Sequence, residues 1–337
     1  MHRRFGMRLD GWMTPQRCVE LAVAAEACGF DAVWYAENPY GRGVLPAVAA
    51  AGLATKRIEH GIGVFNPFNR HPSLIAMEMG GLDELLGGRA NLGLGSGVAR
   101  ILAHAHLGSD KPIAAMRDTI HIVRGLMQGD SLTYKGKVFS ATSLKLEFEA
   151  LRPDYPIFMA AMGDQAIRLT GDIADGIMIS NLCTPGFTQR AIEMMQARAG
   201  KRTRPGPVKV VQYAPCVARP DREEARRFAK DVLGKMIARS FGLEGTPLSR
   251  GWHMIGSGIE EEEFLAIAAR LEAGMPGHEV LNDRMLDLYT VAGNADDCMA
   301  AYQRYFDIGV TEVVVTFRGP EPMVEMTYLA DALRAMR

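Results

Sequence analysis

The sequence predicts an α/β fold, a closed (β/α)8 TIM barrel, on three observations. Short apolar runs alternate with amphipathic helical patterns in about eight β-then-α units. The first strand ends in Leu9-Asp10-Gly11-Trp12, where a doubly wound sheet would carry a glycine-rich phosphate loop. The 337 residues are 48% hydrophobic, ample for one large closed core.

The elements follow in order. A first strand runs from Arg4 to Leu9. Thr14 as cap and Pro15 in the first turn open a helix through Ala27, which Gly29 ends. The second strand, Asp31 to Tyr35, stops at a polar loop from Glu37 to Arg42, and a helix covers Pro46 to Thr55. The third strand, Ile58 to Phe65, is punctuated by glycine and meets the turn Asn66-Pro67 before a helix ending at Gly87-Gly88. The fourth, Ala90 to Leu94, leads into Gly95-Ser96-Gly97, with Pro112 opening a long helix to Met127. Tyr134 to Phe139 reads as half of a small hairpin. Pro156 to Ala160 is the fifth strand, followed by Ala161-Met162-Gly163 and a helix from Asp164. Gly176 to Ile179 and Lys209 to Cys216 are the sixth and seventh. A mostly helical insertion spans about 221–286, and its charge runs suit solvated faces. After a helix to Ile308, Glu312 to Phe317 is the eighth strand, and a helix from Pro322 closes the chain.

Net charge is -1, so no basic field argues for nucleic acid or an anionic membrane, and no apolar run reaches the roughly 18 residues of a membrane span. Five cysteines without close pairing suit a reducing cytosol, and the expected location is cytoplasmic. Metal-ligand spacing is absent.

Barrels of this kind gather chemistry at the C-terminal ends of their strands. Those ends carry Asp10, Glu37-Asn38, Gly63 to Asn66, Gly95-Ser96-Gly97, Ala160 to Gly163 and Ser180-Asn181. The rim is glycine, alanine and apolar groups with a few amides and hydroxyls, and Ser96 has no histidine partner. Such a rim suits a flat redox ring clamped by backbone amides. Two glycine loops, at Gly95 to Gly97 and Ala161 to Gly163, precede possible helix N-termini able to bind phosphate. Trp34 and Phe65 read as core, and Asp83 with Arg89 as a structural pair at a helix end.

Gly63-Val64-Phe65-Asn66-Pro67, Leu82 to Arg89 with Leu92 to Gly97, and Ile173-Ala174-Asp175-Gly176 together resemble the bacterial luciferase-like superfamily. Within it the chain is most similar to the methylenetetrahydromethanopterin reductase branch, which uses the deazaflavin coenzyme F420. The likeness covers Phe5 to about Gly200 and Val291 to Phe317. It implies a hydride passed between a flavin-type ring, F420 or FMN, and a small-molecule substrate. It also implies a non-prolyl cis peptide at or beside Gly63-Val64, a bulge behind the ring, and Asn38, Gly63, Val64, Phe65, Asn66, Gly95, Ser96, Gly97 and Ala160 are the cofactor-binding candidates. The cofactor phosphate or tail would lie near Ala161-Met162-Gly163 and Ser180-Asn181. Relatives often carry Asp-His where Glu37-Asn38 stands and an acid where Val98 stands. Asn38 donates hydrogen bonds but does not relay protons as histidine does, so proton delivery would fall to Glu37, Asp10 or a water. Arg42 is the candidate grip for an acidic substrate group. A homodimer or higher homo-oligomer is expected, the apolar helix Ala47 to Leu53 offering an interface. The alternatives are an FMN-dependent monooxygenase of a small organic substrate and a non-catalytic cofactor-binding barrel.

Overall fold

A computed structural model describes residues 3–38, 40–108, 110–241 and 247–337. Its elements are β1 (Arg4–Leu9), α1 (Pro15–Cys28), β2 (Ala32–Tyr35), α2 (Val44–Ala54), β3 (Glu59–Phe65), α3 (Pro72–Leu85), β4 (Ala90–Leu94), α4 (Ala99–Ala103) and α5 (Pro112–Met127). A hairpin of β5 (Leu132–Lys135) and β6 (Ser140–Leu144) follows, then β7 (Ile157–Ala160), α6 (Asp164–Ile173), β8 (Gly176–Ile179), α7 (Pro185–Gln196) and β9 (Lys209–Ala218). Five helices come next: α8 (Arg222–Phe241), α9 (Pro247–Met254), α10 (Glu261–Glu272), α11 (Gly277–Val280) and α12 (Asp283–Tyr289). The chain finishes with β10 (Val291–Gly293), α13 (Ala295–Asp307), β11 (Glu312–Phe317) and α14 (Pro322–Met336).

The strands β1, β2, β3, β4, β7, β8, β9 and β11 pair in parallel and in that cyclic order, so the sheet closes on itself as the predicted barrel. One edge of β9 serves two partners: β8 pairs with it through Gln212, and β10 takes over from Cys216. The chain thus leaves the ring after its seventh strand, builds α8 to α12, and returns beside β9 before β11 completes the barrel. Residues 242–246 of that stretch lie outside the described residues.

The caps behave as the residues dictate. Thr14 Oγ1 accepts from the Arg17 N–H and Gly29 takes a left-handed φ of 88°. Thr184-Pro185 repeats the signal and opens α7, a helix missing from the reading of the sequence. The hairpin also differs: its strands flank 136–139, so the residues read as half of it form mostly the turn.

Two layers of core result from the strand pleat. Outward side chains such as Phe5, Ile62, Phe65 and Val313 pack under the helices. Inward ones, among them Trp34, Phe158, Met178, Val211, Tyr213 and Val314, fill the barrel. Its floor is polar and fully paired: Arg4 bridges Glu59 (2.8 Å) and Glu312 (3.0 Å), and Trp34 Nε1 donates to Glu312 at 2.7 Å. Asp83 does not pair with Arg89. Its buried carboxylate takes two hydrogen bonds from Arg152, while Arg89 donates to the Gly52 and Ile58 carbonyls. The chain does turn back there, Ala90 N donating to Asp83 Oδ1 at 3.2 Å, but the Arg89 side chain runs the other way to the α2–β3 carbonyls and leaves Arg152 to neutralise Asp83.

One buried carboxyl makes stability depend on pH. Glu325, near the start of α14, accepts from the Ala218 N–H, and burial lifts its pKa to about 7 against that bond and the charge of Arg219. The folded state therefore holds this proton more tightly than the unfolded chain, whose carboxyl titrates near 4.3. Its contribution is fully present below about pH 4.3 and is lost as pH rises through 7. Glu325→Gln should match the wild type at about pH 4 and exceed its stability by up to about 3 kcal/mol at about pH 8, read from urea melts. Equal melts at both pH values would remove the effect.

Candidate active site at the barrel mouth

The C-terminal ends of the barrel strands bring most of the expected residues to one mouth. At the end of β1, Asp10 is 3% exposed and gives one oxygen to each of two arginines. Arg8 Nη1 donates to its Oδ1, and Arg318 Nη1, just beyond β11, to its Oδ2 at 3.0 Å. Burial, then the charge of Arg8, makes the Arg318 guanidinium easier to deprotonate, and Asp10 opposes both. The carboxylate is thus committed to a salt-bridge network, the structural use of this residue type.

Beyond β2, the pleat separates the neighbours Glu37 and Asn38. Asn38 Oδ1 accepts from the Gly11 N–H at 2.8 Å, tying the first two loops of the mouth together. Glu37 falls on the outer side. Both its oxygens take Arg70 Nη1, at 3.0 and 2.9 Å, while Arg70 Nε reaches Glu78 of α3 at 2.7 Å and its guanidinium lies 4.1 Å above the Phe65 ring. A proton route through Glu37 would first have to break that pair. Phe65 itself is buried in the outer core, so it offers the mouth only backbone, its carbonyl accepting from Gly95 N at 2.9 Å. Arg42 also has a local role, donating through Nη1 to the Trp12 carbonyl at 2.5 Å with its side chain at the exposed rim.

The β3–β4 wall exposes bare backbone through three glycines, Gly63, Gly93 and Gly95. The Gly63–Val64 peptide is cis, and the ladder between β3 and β4 shifts register between Ile62 and Phe65. A Cβ on Gly63 would lie 2.2 Å from the Tyr213 hydroxyl and 2.8 Å from Met178 Cε, so only glycine fits. Val64 lies across Gly93 and Gly95, where added Cβ atoms would meet it at 3.3 and 2.7 Å. The result is a shelf of peptide planes topped by one aliphatic side chain. Asn66 braces it: Oδ1 accepts from Phe68 N at 2.8 Å, and Nδ2 points at the Ser96 carbonyl. Gly97 precedes only the five-residue α4, so the first of the two supposed phosphate loops lacks a helix long enough to help.

The second loop has one. Ala160 faces inward, Ala161 packs in the outer core, Met162 is partly buried against that core, and Gly163 caps the ten-residue α6 without any side-chain cap. Asp164 in the first turn is paired with Arg190 at 2.9 Å. Trp252 of α9 approaches Gly163, and His253 Nδ1 lies 2.8 Å from the Leu182 carbonyl, so the helices after β9 roof the loops after β7 and β8. Gly186 and Gly256 meet backbone to backbone at that seam. Ser180 is exposed, whereas Asn181 Oδ1 is buried without a protein partner.

Four residues at the mouth escaped the sequence reading: Arg8, Tyr213, Thr316 and Arg318. Arg8 Nε, Tyr213 OH, Thr316 Oγ1 and Arg318 Nε are buried and unpartnered in the protein. A signal did exist. Arg8 and Thr316 each interrupt an apolar strand at the inward parity, and Arg318 follows two positions later.

An eight-stranded parallel barrel with a peptide shelf, unpartnered polar groups and an uncapped helix N-terminus at one mouth is the architecture of a cofactor-dependent barrel enzyme. The comparisons make this specific: the chain belongs to the luciferase-like monooxygenase family, whose model matches residues 1–312. It is an oxidoreductase of that family. A 5,10-methylenetetrahydromethanopterin reductase of Methanolobus tindarius is 31% identical over 301 residues, 87% of each chain. An F420-dependent glucose-6-phosphate dehydrogenase of Amycolatopsis mediterranei is 26% identical, covering 91% of this chain and 89% of its own. Among solved structures, the coenzyme F420-dependent tetrahydromethanopterin reductase of Methanopyrus kandleri superposes with a TM-score of 0.85 at 20% identity, over 100% of both chains.

Proposed function

We propose that the chain is a coenzyme F420-dependent reductase, with a one-carbon unit on a tetrahydromethanopterin- or tetrahydrofolate-like carrier as substrate. The observation that carries this reading is the shelf at Gly63-Val64, where three glycines, Gly63, Gly93 and Gly95, present bare backbone beside Val64, the face we assign to a flat ring. The residues fit such a group: the wall is peptide and aliphatic, the Tyr213 hydroxyl stands unpartnered at its edge, and α6 offers uncapped N–H groups to a phosphate. When bound, the deazaflavin would supply or accept the hydride. The protein's part is to hold the ring on Val64, to anchor the tail near Ala161, Met162, Gly163, Ser180 and Asn181, and to exclude water under the α9 roof. Asn38, fixed by Gly11, would present its amide group to the ring edge. The 31% identical reductase supports the substrate class.

A titration of cofactor-stripped protein with coenzyme F420 and, separately, FMN tests this. Tight binding of F420 alone is expected. Binding of FMN alone sinks the F420 assignment and favours an FMN-dependent monooxygenase. The side-chain environment gives that second reading its support, because Asn38 relays no proton and Glu37 is held by Arg70. Exposed Leu53 on α2 and Met77 and Leu85 on α3 support a homodimer through these helices; a monomeric mass in light scattering would count against it.

A further inference from the structure

Across the mouth from the Gly63–Val64 shelf, three adjacent strands, β9, β11 and β1, build a wall whose Arg8, Arg318 and Thr316 have no role in the proposed function. Arg8 and Thr316 project inward from neighbouring strands, one residue beyond the paired Met7 and Val315. Tyr213, level with Val314, forms the floor, with the Arg8 guanidinium 5.6 Å above its ring. Two arginines share a single carboxylate here, Asp10, so the cluster carries one positive charge in excess. Each arginine reaches Asp10 through Nη1 and keeps a buried Nε–H without a protein partner. The Thr316 hydroxyl, on a residue 1% exposed, and the Tyr213 hydroxyl, on one 7% exposed, are unpartnered too.

Buried donors with no acceptor are costly, and a surplus guanidinium charge is costlier still. Four such groups on one wall can all donate to one oxygen-bearing ligand, and the surplus guanidinium charge favours an anionic one. We propose that Arg8, Arg318 and Thr316, over the Tyr213 floor, form an oxyanion subsite that takes a carboxylate or phosphate group of the substrate, or the dione edge of the cofactor ring. The placement opposite the shelf rests on the proposed function; the donor set does not. Asp10 is then a positioning residue, holding both guanidiniums by one nitrogen each so that their other donors stay turned to the ligand.

The experiment is a calorimetric titration of the full-length protein with benzoate and with benzyl alcohol, its uncharged equivalent. Wild type should bind benzoate at least about tenfold more tightly, and Arg318→Gln should abolish that preference. Thr316→Val keeps shape and leaves the ion pairs intact, so it should weaken benzoate severalfold with an unchanged melting temperature even if Arg318→Gln folds poorly. No preference for benzoate in the wild type, or a preference untouched by Thr316→Val and Arg318→Gln alike, overturns the subsite. Repeating the titration with F420 present separates the sources: undiminished benzoate binding assigns the subsite to the substrate, and competition assigns it to the ring. Failure of F420 to bind overturns the cofactor reading alone, because the benzoate preference is measured without it.

Discussion

Gly63→Ala is expected to lose cofactor affinity by at least about tenfold while the barrel still folds, at a cost of about 1–3 kcal/mol in stability. The added methyl would stand 2.2 Å from the Tyr213 hydroxyl, 2.8 Å from Met178 Cε and 3.4 Å from the Trp34 ring. None of these has free space to retreat into, since Trp34 and Met178 are buried in the barrel interior and Trp34 is bonded to Glu312. The methyl would therefore displace the shelf from its position against Tyr213 and Met178. Removing the opposing oxygen with Tyr213→Phe should return part of both losses, giving a coupling of about 0.5–3 kcal/mol in a double-mutant cycle. Strictly additive effects would show that Tyr213 does not set the position of the shelf.

Asp10→Ala should destabilise the protein by about 3–5 kcal/mol, the cost of leaving buried charge uncompensated. Asp10 has 2% side-chain exposure, and its partners Arg8 and Arg318 have 14% and 22%, so solvent screens the network weakly. Without the carboxylate, two guanidiniums face one another in a half-dry wall. Urea unfolding measures the loss, and a change under about 1 kcal/mol would show that water reaches these groups freely. The structure thus moves Asp10 from a proton-delivery candidate toward the residue that organises the wall.

The barrel was legible because its signals are local. Strand parity, Thr-Pro caps and terminal glycines set each element, and β1, β4, β8 and β11 occur with the bounds read from sequence. The rule that barrels carry their mouth at the C-terminal strand ends, applied to the expected strands, puts Asp10, Asn38, Gly63, Gly95, Gly163 and Asn181 at that end, where the structure also places them. The cis peptide implied at Gly63-Val64 is present. Less local features were not readable. That Glu37 is held by Arg70 depends on where the loop after β3 folds back, whereas the outward side chains of Phe65 and Ala161 follow from strand parity and could have been read.

The sequence by itself determined the eight-unit barrel, the helical excursion after the seventh strand and the rim composition suited to a flat ring, because each follows from spacing along a few residues. Tertiary structure alone decided the partners. Arg8 and Arg318 are 310 positions apart in a chain whose two ends meet only when β11 closes beside β1, and Trp252 reaches Gly163 only because β9 exchanges β8 for β10 along one edge. Charge pairing and close approach act through space, so the electrostatic wall opposite the shelf has no counterpart in any local stretch of sequence.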